Sequence, residues 1–116
     1  MLARENRLTK KEDFEKVKTK GRSVQSESFF FSYLKRTDND PSRFGFVVTK
    51  KISPHATARN KASRGLREGV RQTLAYIKPG YDCVLVAKPI IVRKYTNDLM
   101  HEVDLVLQKS HLMQTK

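Results

Sequence analysis

The chain has no tryptophan and one cysteine among its 116 residues. A lone Cys83 cannot close an internal disulfide, so the fold must rest on packing, and that usage fits a reducing compartment. Long apolar runs are also missing. The longest, Cys83 to Ala87, falls far short of the ~20 residues a membrane helix needs. The opening stretch, MLARENRLTKKEDF, carries too much charge for a secretory signal. These absences predict a soluble, cytoplasmic protein with no membrane partner. Repeats, low-complexity tracts and linkers are lacking too, and the length suits one domain over 1–116 with one real core. Catalytic patterns are equally scarce. His55, His101 and His111 have no ligand spacing to one another or to Cys83, which argues against a zinc site. A two-histidine nuclease would need a pair converging on one phosphate, and nothing in the spacing suggests one. Asp38 and Asp40 read as turn residues, and Glu12, Asp13 and Glu15 as acids of a first helical turn. The polypeptide alone is expected to be inert, with no catalytic residue and no metal of its own.

Acids are the remaining scarcity: 12 Asp and Glu stand against 24 Lys and Arg, a net charge of +12. Such an excess persists against self-repulsion, so a polyanionic partner is implied, nucleic acid before an anionic membrane surface. The charge is concentrated. Residues 50–72 hold Lys50, Lys51, Arg59, Lys61, Arg64, Arg67 and Arg71 against Glu68 alone, half of the total excess.

Hydrophobic periodicity predicts helix, three strands, helix, strand, helix. Thr9 to Glu12 reads as a capping box opening the first helix, whose Phe14 and Val17 share a face and which stops near Gly21, a residue suited to a left-handed end position. Residues 22–27 form a short polar strand. SFFFSYLK (28–35) alternates Phe29, Phe31 and Tyr33 with Phe30, Ser32 and Leu34, and RFGFVVTKK follows the TDNDPS turn as another strand. CVLVAK is apolar on both faces, as in a covered interior strand, including a parallel one. The last helix starts near Thr96 and buries Leu99, Val103 and Val106.

Between these strands lies ARNKASRGLREGVRQ (58–72), helical from about Thr57, a plausible N-cap, to Tyr76. Ala62, Leu66, Val70, Leu74 and Ile77 form one arc, while Asn60, Arg64, Arg67 and Arg71 form a second stripe adjoining it. Forked guanidinium groups suit phosphate. Gly65 and Gly69 each cost about 1 kcal/mol in a helix interior. Either an RNA backbone or a neighbouring element then comes close there, or the glycines are merely tolerated. Among the aromatics, Phe30 and Phe46 read as core; Phe31 and Tyr33 are open to either core packing or base stacking.

NRLTKKEDFEKV, FGFVVTKKI, ARNKASRGLRE, YDCVLVAKP and YTNDLMHEVDLVLQKSHL occur in the order and spacing of the protein subunit of bacterial ribonuclease P, which the chain resembles over residues 6–113. The resemblance implies an α+β fold: an α-β-β-β-α-β-α sandwich, a mixed four-stranded sheet with helices packed on it and a left-handed β-α-β crossover. It implies a monomeric auxiliary subunit of a ribonucleoprotein endoribonuclease that binds the catalytic RNA and the 5′ leader of precursor tRNA. Cleavage would be performed by the RNA with Mg²⁺. By the same resemblance Arg59, Asn60, Lys61, Arg64, Arg67 and Arg71 would contact the catalytic RNA, and Phe14, Lys18, Phe31, Tyr33, Lys50 and Lys51 would line the leader cleft and strand end. Lys18 stands where the family usually has a second cleft aromatic, and Lys61 where an arginine is common. A structural RNA-binding protein of ribosomal type is the alternative reading, and a protein-only nuclease a more distant one.

Overall fold

The computed structural model describes residues 2–114. A 3-10 turn at Arg4–Asn6 precedes α1 (Lys11–Lys20), β1 (Arg22–Gln25), β2 (Phe29–Lys35), β3 (Arg43–Val47), α2 (Ala56–Thr73), β4 (Tyr81–Ala87) and α3 (Thr96–Lys109). The strands form one sheet in the order β1-β2-β4-β3. β1–β2 and β2–β4 are antiparallel and β3–β4 is parallel, so β4, the most apolar strand, is interior. The α+β architecture expected from the periodicity is the one observed.

Local chemistry departs from the expected caps, for traceable reasons. The Leu8 N–H donates to the Phe44 carbonyl on the β3 edge, holding the chain extended through Lys10, so α1 begins at Lys11 and Thr9 does not cap it. Gly21 is extended (φ −80°), not left-handed. A Cβ there would meet the Val17 carbonyl oxygen at 2.4 Å and the Tyr33 carbonyl oxygen at 2.7 Å, so glycine serves close approach. The N-cap of α2 is His55, whose N–H donates to the Ser53 hydroxyl, placing Thr57 inside the helix. At the other end the Thr73 hydroxyl donates to the Gly69 and Val70 carbonyls, and Leu74–Tyr76 continue as a 3-10 turn instead of α-helix.

The two sheet faces have different covers. Phe29, Phe31, Phe44, Cys83, Leu85 and Ala87 lie under α2 and α3 in the main core. On the opposite face α1 brings Val17 and Phe14 onto Leu34, Val47, Val84 and Val86. The buried Asp82 carboxylate ties strands together, accepting from Arg36 on β2's end (2.6 Å) and Arg43 on β3 (2.8 Å).

Gly65 and Gly69 face α3. A Cβ on Gly65 would sit 2.7 Å from Leu99 Cδ1, and one on Gly69 would sit 3.0 Å from Val103 Cβ and 3.2 Å from Met100 Cα. The glycines therefore let two helices cross closely, which decides the question the sequence left open.

Candidate nucleic-acid interface

With Gly65 and Gly69 added to Ala62, Leu66 and Val70, the buried arc of α2 spans both the sheet and α3. The arginine stripe thus points away from the core more directly than the apolar arc alone implied. Asn60, Lys61, Arg64, Arg67 and Arg71 are all exposed, as are Lys50 and Lys51 in the turn before α2. Arg59 is half-buried and donates to the Ser53 carbonyl at 2.7 Å, so it ties the helix start to its loop. Arg67 leans to the sheet edge, its guanidinium 5.8 Å from the Phe46 ring centroid. Lys61 leans the other way, toward the Tyr95 ring at the start of α3. Only Arg71 meets an acid: it pairs with Glu68, and that hydrogen bond holds the Glu68 carboxyl below its usual range. Lys50, Lys51, Lys61, Arg64 and Arg67 form no ion pair among the described residues.

Arg67 also borders the second region. It lines a cavity of about 250 Å³ with Phe14, Gly45, Phe46 and Arg7, between α1 and the β3 edge. The Phe14 ring rests on Gly45, where a Cβ would lie 2.3 Å from its Cζ. Phe14, half-buried, and the exposed Lys18 are therefore on the α1 face of the sheet.

Phe31 and Tyr33 are not on that face. Phe31 pairs with Leu85 and is 1% exposed beneath α2 and α3, so it has no ring face to offer a base. Tyr33, half-buried, stacks on Phe31 from the same side, with centroids 5.7 Å apart. The ring that is available is Phe30. It pairs with Val86 and so shares the α1 face, is 40% exposed, and carries Lys88 Nζ 4.5 Å above its centroid. Phe30, read as core, is thus the exposed ring, and Phe31, left open between core packing and base stacking, is the buried one. Three consecutive phenylalanines make both parities apolar, so the alternation alone did not say which face is the thinly covered one.

No group of three or more His, Cys, Asp or Glu side chains is placed to hold a metal among the described residues. Cys83 is enclosed in the core, and burial pushes its thiol well up, away from reactivity. No helix among them is long and apolar enough to cross a membrane.

A thin-faced mixed sheet with an arginine helix as the crossover of its parallel pair defines a small basic scaffold of the kind that meets a polyanion. A family model described as Ribonuclease P matches residues 2–111, and the chain belongs to that family. It is 42% identical over 90 residues to the ribonuclease P protein component of Gluconacetobacter diazotrophicus, covering 76% of each chain. To that of Pseudanabaena sp. it is 31% identical over 113 residues, 97% of each. Among solved structures, the Staphylococcus aureus RNase P protein superposes with a TM-score of 0.85 at 26% identity, covering 94% of this chain and 98% of that one. The Thermotoga maritima RNase P protein gives 0.79 at 29% identity, covering 89% and 98%.

Proposed function

We propose that the protein acts as the protein component of ribonuclease P, seating its α2 ridge on the catalytic RNA and holding the 5′ leader of precursor tRNA along the α1 face. The observation that carries this reading is the set of exposed cations, Lys50, Lys51, Lys61, Arg64 and Arg67, which form no ion pair among the described residues, on a scaffold of this family. Charges so placed would replace counterions on RNA phosphates. Phe14 and Phe30 supply apolar ring surface beside Lys18 and Lys88, the combination that takes single-stranded nucleotides without sequence preference. Arg67, bordering both regions, would link them.

Under this reading the protein positions substrate, and leader cleavage to a 5′-phosphorylated tRNA is the work of the RNA with its Mg²⁺ ions. Among the described residues no group of three or more carboxylate, imidazole or thiol side chains is placed to hold a metal, and the protein's part is confined to positioning. The test is reconstitution. Purified protein added to the catalytic RNA at low Mg²⁺ should restore endonucleolytic removal of the leader. Binding without stimulated processing would instead indicate a structural RNA-binding role, and cleavage by protein alone would overturn the division of labour.

A further inference from the structure

A second concentration of charge lies at the end of the sheet away from Phe30 and Lys88. Lys20, Arg22, Lys35 and Lys78 line a cleft of about 400 Å³ together with Tyr33, Tyr81 and His111, and no acid among the described residues borders it. They arrive from separate segments: the end of α1, the start of β1, the end of β2 and the turn before β4. None of the four cations forms an ion pair among the described residues. A cation at a helix C-terminus complements the helix dipole, which accounts for Lys20. It does not account for Arg22, Lys35 or Lys78.

Two further features point the same way. Tyr33 and Tyr81 meet at the cleft with centroids 6.5 Å apart and planes inclined by 56°, each keeping part of its ring open, and Lys35 Nζ stands 5.1 Å from the Tyr81 centroid. His111 takes a positive φ of 59° just beyond α3, a conformation for which glycine or asparagine is usual. Its N–H donates to the Gln108 carbonyl and the Leu112 N–H to the Leu107 carbonyl, which fixes the turn. Glycine would end the helix without the steric cost. Histidine adds an imidazole to the cleft.

Converging cations, two half-buried tyrosine rings at the cleft wall and no acid among the described residues match the chemistry of a nucleoside phosphate. We propose that this cleft is a nucleotide-binding site, with Lys20, Arg22 and Lys78 taking the phosphate and Tyr33 and Tyr81 taking the base. It is separate from the α2 ridge and does not depend on the ribonuclease P reading. The nucleotide could come from a free mononucleotide or from one unit of an RNA strand, and the test distinguishes them. Isotope-labelled full-length protein is titrated with 5′-AMP, with inorganic phosphate and with a short oligouridylate while backbone amide resonances are followed. AMP should shift amides around Gly21, Lys35, Tyr81 and His111, and should bind more tightly than phosphate alone. Arg22→Ala with Lys78→Ala should lower AMP affinity about tenfold with an unchanged melting temperature. If the oligouridylate shifts the same amides and displaces AMP, the occupant is a strand; if it does neither while AMP binds, a free nucleotide. Shifts confined to residues 56–73, phosphate binding as tightly as AMP, or a double variant that binds AMP normally would overturn the site.

Discussion

Truncating Phe31 and truncating Phe30 should have unlike effects, because adjacent strand residues face opposite covers. Phe31→Ala empties a site under two helices and should cost about 3–5 kcal/mol in denaturant unfolding. Phe30→Ala should leave unfolding nearly unchanged and instead weaken leader-bearing precursor by about 1–3 kcal/mol, sparing mature tRNA. Equal losses for both RNAs would remove Phe30 from the leader face. Glu68 permits a gain. As the one acid paired to the arginine stripe, its replacement in Glu68→Gln frees Arg71, and affinity for the catalytic RNA should rise, with the salt slope steeper by about one. Low pH should mimic it weakly. The Glu68 carboxyl is held below its ordinary range by Arg71, so the pair is intact above that range and is lost as pH falls through the lowered value. At this scale the sequence was informative about charge and poor about aromatics. Arg64 and Arg67 could be placed from helical spacing alone, whereas the triple phenylalanine carried no parity signal until Val24 and Val86 fixed its neighbours.

At the scale of elements, the crossing of α2 and α3 tests the glycine assignment. Gly69→Ala puts a methyl against the Met100 backbone and the branched Val103 carbon, neither of which can yield, so melting temperature should fall despite alanine's higher helix propensity. Gly65→Ala meets only the δ-methyl of Leu99, which can rotate, and should be far milder. Equal effects would mean that the helices separate as rigid units. Asp82 joins strands as the glycines join helices. Asp82→Asn should cost about 3 kcal/mol, the low end for breaking a buried pair, because Arg43 stays 30% exposed. Element order and type were legible because periods of two and of three to four residues alternate cleanly along the chain. Helix starts were not: Thr9 and Thr57 have capping chemistry, yet the tie of Leu8 to β3 and the Ser53–His55 turn decide where each helix begins. Those are contacts outside the reach of a local pattern.

For the whole molecule, the net charge of +12 sets a salt dependence. If about five phosphates of a single-stranded leader are neutralised, affinity should drop roughly a hundredfold between 50 and 200 mM salt, measurable by titration across that range. The sheet order has a kinetic consequence of its own. A ribosome delivers β2 and β3 before β4, yet both flank β4 and have no ladder with each other. Until residue 87 has emerged, the nascent chain holds a hairpin and a lone strand with an unfilled slot between them. Open strand edges of that kind invite pairing with other chains. The last strand to arrive is the keystone, so native structure must form largely after synthesis has passed it, and a cationic chain already gathered by an RNA would be shielded during that wait.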